Sequence, residues 1–332
     1  VGEEDVPQTP TTAQLEGAPL KAGELELLVD RVHAESDCVV SVRLVDPSGR
    51  ELPAWQPGAH IDFCLPGLTR QYSLCGDPDD RSCYRIGVLR EAGGRGCSDY
   101  IHREVTPGHR VAVRGPRNNF PLLDADRYLF VAGGIGITPL LPMVAEVESR
   151  GREWELVYGG RSCASMAFRS ELAAYGSRVR VSPQDEAGLL DLDAILDVAP
   201  GTAVYCCGPE PLIAAVESEC SQRPGVALHV ERFGARPLPD GMVPTGFEVY
   251  CADSDVTVAV AVDESMLEAL MRADLDLNYE CMQGTCGSCE LDVLEGEAVH
   301  LDTVLTPEEH AESSVVFPCV SRARTSRLVL DV

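Results

Sequence analysis

The apolar positions of the chain change period twice. Over residues 22–120 they alternate in short runs: LELLVDRV, VVSVRLVD, HIDFCL, RQYSLC, YRIGVL and RVAVRG. A period of two turns one face of each run inward and the other outward, as in half-buried strands. Turn-forming DPSG, PGAH and TPGH lie between them. Six such strands predict an antiparallel barrel or sandwich. RYLFVAGG (127–134) is instead an apolar strand ending in glycines, and TPLLPMVAEVESR after it has helical periodicity. WELVYGG, RVRVSP and TAVYCCGP continue as strands, with FRSELAAYG, LDLDAILDVA and PEPLIAAVESEC as helices between them. Strand–helix alternation implies a parallel sheet. GARPLPDGMVPTG (234–246) is rich in Gly and Pro and reads as a linker. Strands FEVYCA and VTVAVAV, helix ESMLEALMRADL, a cysteine-rich loop and strand ELDVLEG complete the chain. Residues 1–21 lack apolar periodicity and read as a tail or linker. The expected division is therefore a β-barrel domain over 22–123, an α/β domain over 124–233, and a third domain over 247–332.

Composition narrows the class. At 332 residues the chain has room for two or three cores, and 45% hydrophobic content suits a water-soluble protein. No apolar run approaches the roughly 18–20 residues that span a bilayer. The first twenty residues are acidic and polar, unlike a secretory signal. Fourteen cysteines in no repeating framework then point to a reducing, cytoplasmic compartment. The net charge of −26 argues against nucleic acid and membrane as partners. Residues 241–332 hold eighteen acids against Arg272, Arg322, Arg324 and Arg327, a net −14. That excess suits a solubility surface, and equally a docking face for a basic partner.

Three stretches carry candidate chemistry. In CMQGTCGSC (281–289) the spacing is C-x4-C-x2-C, and one more cysteine, Cys319 in FPCVSRA, follows. Cys281, Cys286, Cys289 and Cys319 have the plant-type [2Fe–2S] spacing, two thiolates for each iron. Gly284 and Gly287 would let the loop take positive φ and turn its amides toward sulfur. A structural zinc would use two C-x2-C pairs, or cysteines with closely spaced histidines. Only one such pair is present, and His300 and His310 lie at no matching spacing. A disulfide clasp fits a reducing compartment poorly.

The second stretch is RQYSLCGDP, with Arg70, Tyr72 and Ser73 on a strand. Arg offers a fork to a flavin phosphate, Tyr a packing surface, and Ser a hydroxyl toward the ring near N5. The same residues would also suit an edge strand with a surface arginine. GGRGCSDYIH (93–102) adds a glycine run leading into a helix start, a phosphate-binding arrangement. The third stretch is VAGGIGITPLLPM (131–143), where Gly133, Gly134 and Gly136 would allow close approach of a pyrophosphate. Thr138 would cap the following helix. It is not the GxGxxG fingerprint, and a plain strand-to-helix turn reads the same way. CCGPEPL (206–212) opens a second helix at a later strand end, and Arg161 in YGGRS is placed to steer the dinucleotide.

These motifs resemble known families. CMQGTCGSCELDVLEGE, CVSRA and the closing LVLDV are similar to a plant-type ferredoxin domain, whose fold is an α+β β-grasp. Met282 departs from it, since a basic residue often follows the first cysteine. RQYS, GGIGITP and CGPEPL resemble the ferredoxin–NADP reductase superfamily. Together over residues 22–332 they resemble the phthalate dioxygenase reductase family, with its domain order FMN, NAD, [2Fe–2S]. The resemblance implies that Arg70, Tyr72, Ser73, the Val88 backbone and Gly96, Cys97 and Ser98 hold FMN. It implies that Thr138, Cys207, Gly208 and Pro209 place nicotinamide against the flavin. Phe233 matches an aromatic near the flavin face. Ser73, Cys207 and Phe233 are thus expected at the hydride-transfer centre, although Cys207 and Phe233 also suit ordinary core positions.

The cofactor set implies a route. NADH gives two electrons as hydride, an iron–sulfur cluster takes one at a time, and a flavin converts between them. The expected acceptor is an oxygenase, either Rieske-type or a cytochrome P450 haem domain. NADH is favoured over NADPH by family, while Arg161 and Arg169 leave NADPH open. The N-terminal stretch suits a linker excised from a self-sufficient P450 fusion, and equally a processed free reductase. Two readings of other classes stand beside this one: a flavin-free electron-carrier module and a zinc-stabilised scaffold.

Overall fold

The computed structural model describes residues 20, 23–65, 68–91, 96–239 and 241–332. The expected tail over 1–21 lies outside these, Leu20 apart, as does the Gly93–Arg95 part of the phosphate-loop expectation. The chain divides into two compact units, one up to Glu231 and one from Arg232 to Val332. Among the described residues, no helix is long and apolar enough to cross a membrane.

In the first unit, strands β1 (Glu24–Ser36), β2 (Val39–Val45), β3 (Ala59–Leu65), β4 (Leu68–Ser73), β5 (Cys83–Leu89) and β6 (Arg110–Asn118) form one antiparallel sheet. Its order is β4-β3-β6-β1-β2-β5, and a bridge between Leu74 and Ile86 joins the two edges, closing a barrel. Val29, Val42, Ile61, Phe63, Ile86 and Val113 are fully buried in it. Each such side chain stabilises by roughly 1.5–3 kcal/mol when withdrawn from water. Helix α1 (Cys97–Glu104) packs Tyr100 and Ile101 into the same core.

The second half of this unit is a five-stranded parallel sheet of β7 (Arg127–Gly133), β8 (Glu153–Gly160), β9 (Val179–Pro183), β10 (Thr202–Cys207) and β11 (Ala227–Glu231). Residues of β7 alternate between two cores. Tyr128, Phe130 and Ala132 meet α2 (Ile137–Ser149) through Ile137, Leu140 and Val144. Leu129 and Val131 meet α3 (Glu210–Ser221) through Ile213 and Val216. A strand covered on both faces reads as continuous hydrophobic sequence, which is what RYLFVAGG shows. The order β11-β10-β7-β8-β9 puts the reversal of chain direction between β7 and β10. Ligands of open α/β sheets bind at the carboxyl ends of strands flanking such a reversal. The connections on either side of β9 are shorter than predicted. FRSELAAYG gives one α-turn, Arg169–Leu172, followed by a 3-10 stretch broken at Gly176 (φ 60°). LDLDAILDVA gives only Leu192–Ile195, capped by Asp191.

Residues 232–246 carry no helix or strand among those described. The second unit then builds β12 (Phe247–Cys251), β13 (Val256–Val260), β14 (Leu291–Glu295), β15 (Ala298–Val299), β16 (Val315–Val316), β17 (Arg322–Ala323) and β18 (Arg327–Leu330). The main sheet runs β13-β12-β18-β14-β16, with β12 and β18 parallel and the other pairs antiparallel. Helix α4 (Met266–Arg272) starts with a Ser265–Glu268 capping box and buries Met266, Ala269 and Leu270 against the sheet. This is the α+β β-grasp arrangement expected. A short helix, α5 (Pro307–Glu312), was not read from the sequence, although its Thr306–Glu309 capping box is legible there as T-P-E-E.

Candidate redox centres

In the second unit the chain from Asp274 to Glu290 is irregular, and it carries three of the four expected ligands. Cys281, Cys289 and Cys319 are buried and Cys286 is half-buried. The Cys289 and Cys319 sulfurs are 3.4 Å apart, and the Cys281 and Cys286 thiols are hydrogen-bonded. Met282 (φ 52°), Gly284 (φ 72°) and Gly287 (φ 80°) are left-handed. These reversals point successive amides at sulfur. The Gln283 and Thr285 amides donate to Cys281 Sγ, the former at 3.3 Å. The Ser288 amide donates to Cys286 and the Gly284 amide to Cys319. The Cys286 thiol and the amides hold Cys281 down at about 5. The Cys319 thiol likewise lowers Cys289. Their partners are raised, chiefly by the thiolate each faces. Within each pair the two sulfurs are too close to ionise together without a cation beside them, and the amide nest is built for the negative charge. The donor set fits an iron–sulfur cluster.

In the first unit, β4 lies beside the start of α1, since the Tyr72 hydroxyl reaches Cys97 Sγ at 3.7 Å. Gly96 (φ 92°) precedes α1, which has no side-chain cap. Burial raises the Cys97 thiol to about 11, against opposing pulls from the Tyr72 hydroxyl and the Arg70 charge, so the guanidinium lies near this helix start. A cation beside uncapped amides fits a phosphate. The Ser98 hydroxyl accepts the Glu91 amide at 3.2 Å, and the Val88 carbonyl faces His102 Nε2 at 2.9 Å. Ser73 is buried on the neighbouring register position to His60.

The third site forms where β7 and β10 end side by side. A Cβ on Gly136 would sit 2.3 Å from the Cys207 carbonyl oxygen, and one on Gly133 would sit 2.6 Å from Pro209 Cδ. Gly208 in turn presses on the Gly133 backbone. These glycines thus pack the two turns together, while Gly134 (φ 55°) faces open space. Thr138 does not cap α2. Gly136 holds the N-cap position, and the Thr138 hydroxyl donates to the Ile135 carbonyl at 2.9 Å. Thr138 and Phe168 leave no room for a Cβ on Gly87 of β5, so barrel and sheet meet at this crevice. Arg161, at the end of β8, is exposed, and its carbonyl accepts the Asp185 amide at 3.1 Å.

Cys207 is fully buried, and burial pushes its thiol well above the ordinary value. Its sulfur lies 4.0 Å from the carboxyl of Glu231, its register partner on β11. Burial of its carboxyl raises Glu231 to about 8. The sequence reading missed Glu231; a carboxylate closing the strand LHVE, before a linker, was the available signal. Phe233 is 40% exposed and falls in the second unit.

A barrel meeting a parallel nucleotide sheet, together with a unit carrying four nested thiols, defines a flavin-type reductase joined to an iron–sulfur domain. Residues 130–218 match the oxidoreductase NAD-binding domain, and residues 249–324 match the 2Fe-2S iron-sulfur cluster binding domain. The chain is 41% identical to a phenoxybenzoate dioxygenase subunit beta of Ectopseudomonas oleovorans, over 91% of this chain and 96% of that one. It superimposes on a solved phthalate dioxygenase reductase with a TM-score of 0.73 and 34% identity, covering 93% of this chain and 98% of that one. That reductase is described as a modular structure for electron transfer from pyridine nucleotides to [2Fe–2S]. This chain also matches an intact type IV self-sufficient cytochrome P450 monooxygenase, with a TM-score of 0.77 and 42% identity over 95% of its length. The chain spans 43% of that P450's length. The chain belongs to the phthalate dioxygenase reductase family.

Proposed function

We infer that this protein is the NADH-dependent reductase of an oxygenase system, working in the cytoplasm. The observation that carries the reading is the pairing, in one chain, of a glycine-packed crevice at the β7–β10 reversal with an amide-lined nest of four thiols. FMN held by the barrel would supply the conversion of the hydride of NADH into single electrons, and a [2Fe–2S] cluster in the thiol nest would supply their one-electron transfer to the oxygenase. Arg70 and the start of α1 hold the flavin phosphate, and Tyr72 and Ser73 orient the ring. Gly134 and Arg161 receive the dinucleotide, and the Cys207–Pro209 turn presses nicotinamide toward the barrel. Cys281, Cys286, Cys289 and Cys319 hold the cluster. The domains run 22–123, 124–233 and 247–332, joined by 234–246. The acceptor is a Rieske-type oxygenase or a P450 haem domain. Similarity to the self-sufficient P450 over 95% of this chain supports the second acceptor.

Anaerobic titration of the purified protein with NADH, followed by visible absorbance, tests this. Both the flavin band and the broad iron–sulfur bands bleach as NADH is added. Flavin bleaching with the cluster left oxidised would refute the internal route, and a colourless protein purified with its cofactors retained would refute the reductase itself.

A further inference from the structure

A second cluster of metal-binding side chains lies in the ferredoxin-type unit, apart from the cysteines. His300 follows β15, Asp302 stands two residues on, and His310 comes from α5. Their ligand atoms all lie within 4.8 Å of one another. Asp302 is fully buried, and its Oδ1 has no hydrogen-bond partner. His300 Nδ1 lies 4.0 Å from Oδ1 and is also buried without a partner. The other carboxylate oxygen, Oδ2, faces His310 Nε2 at 3.0 Å and accepts the Leu305 amide at 3.1 Å. Two orphaned polar atoms facing each other in a buried pocket are costly. Asp302 is fixed by the Leu305 amide and by Arg236 Nε on its own carbonyl, and α5 is fixed by its capping box.

We propose that His300, Asp302 and His310 bind one divalent transition-metal ion of the zinc class. Zinc accepts two imidazoles and a carboxylate at about 2.0–2.2 Å, which places tetrahedral ligand atoms roughly 3.3 Å apart. His310 Nε2 meets Oδ2 at 3.0 Å and His300 Nδ1 meets Oδ1 at 4.0 Å, while the two rings stack at 4.7 Å with planes 12° apart, so one or both rings turn to bring their lone pairs onto one ion. The ion takes the place of the proton between His310 and Asp302 and gives His300 Nδ1 and Asp302 Oδ1 the partner they lack. His300 and His310 are each slightly exposed, at 15% and 13%, which leaves a fourth position for water. The ion is structural. Thr303, next to Asp302, donates its amide to the Gly284 carbonyl at 2.8 Å. Fixing Asp302 therefore steadies the turn whose amide serves Cys319.

The test uses the protein with its iron–sulfur cluster in place, dialysed against zinc chloride and then against buffer. Iron and zinc are counted per chain. Wild-type protein retains one zinc above the level held by His310→Gln and by His300→Gln, with iron unchanged at two. X-ray absorption at the zinc edge of the wild type gives nitrogen and oxygen neighbours with imidazole scattering. Equal zinc in wild type and variants would overturn the proposal. So would zinc uptake that displaces iron, or sulfur among the zinc neighbours. If a variant loses its cluster, the absorption spectrum of the wild type alone decides.

Discussion

Replacing Gly136 by alanine isolates the packing of the two turns from backbone strain. Gly136 has φ −61° and ψ −4°, so alanine is at ease there as far as the backbone is concerned. Its Cβ, however, would stand 2.3 Å from Cys207 O, 2.4 Å from Cys207 C and 2.6 Å from Gly208 N. All three are backbone atoms, and no side chain can swing away. Ordinary contact needs about 3.5 Å, so the ends of β7 and β10 must part by roughly 1 Å. Overpacking of this kind costs about 1–3 kcal/mol. Gly134 is the control: its φ is +55° and nothing lies within 4 Å, so Gly134→Ala costs about 1 kcal/mol of left-handed strain and moves no neighbour. Both tryptophans, Trp55 and Trp154, lie in the first unit, so urea denaturation followed by their fluorescence reports on this unit. Gly136→Ala lowers the midpoint more than Gly134→Ala does. A misplacement of about 1 Å costs on the order of 100-fold in rate. Stopped-flow reduction of the flavin by NADH slows accordingly, while the iron–sulfur bands of the oxidised protein are unchanged. If Gly136→Ala is no less stable than Gly134→Ala and reduces its flavin at the wild-type rate, the glycines do not set the crevice.

The other predictions concern the thiol nest, the buried acid and the acidic surface. Gly284→Ala combines a φ of 72° with a Cβ 2.6 Å from Val320 Cγ2, so the nest cannot keep its shape. The purified variant loses iron while its flavin is still reduced by NADH, as iron analysis and flavin bleaching will show. Glu231 is raised to about 8 in the folded protein, whereas the unfolded chain releases that proton near 4.5. The stability this proton confers is complete below about 4.5 and is lost as pH rises toward 8. At about 1.4 kcal/mol per pH unit the span bounds the effect at roughly 5 kcal/mol. Urea midpoints measured from pH 5 to 9 slope less in Glu231→Gln than in the wild type, and parallel slopes would contradict the shift. Residues 241–332 carry a net −14, so electron transfer to a basic oxygenase slows as salt rises from 50 to 500 mM, and a salt-independent rate would remove the docking role.

The parts legible in sequence were those whose period is set by a flat, extended surface. Six alternating runs became the six barrel strands, because a strand with one buried face must repeat every two residues. RYLFVAGG was legible for the opposite reason, being buried on both faces. The helices beside β9 were overread: apolar residues in LDLDAILDVA suit a helix, yet the chain leaves it after Ile195 and reaches a turn at Pro200 and Gly201. Partners in space were the harder part. Gly133 and Gly136 look like ligand-facing glycines, and only the register of β7 beside β10 reveals that they face Cys207, Gly208 and Pro209. Glu231 was invisible for the same reason, since its meaning comes from the strand pairing with Cys207 rather than from its neighbours in sequence.

The cysteines make the same point with charge. The sequence has fourteen, and spacing alone singled out four. The structure separates them again on independent grounds. Burial raises Cys75 to about 12 and Cys97 to about 11, and it raises Cys64, Cys83, Cys207, Cys220 and Cys251 as well. These behave as small apolar residues, for which an ionised sulfur has no support. Cys281 and Cys289 are buried as deeply, yet are held below the ordinary value, because a neighbouring thiol and loop amides donate to them. Each lowered thiol has a raised partner, Cys286 or Cys319. Iron would be held by these sulfurs as thiolates, so its uptake would release the thiol protons that remain. Depth of burial does not distinguish a ligand from a core residue here; the donors around the sulfur do. Those donors exist because Met282, Gly284 and Gly287 turn the chain left-handed, which is why the loop's glycines matter to the cluster as much as its cysteines.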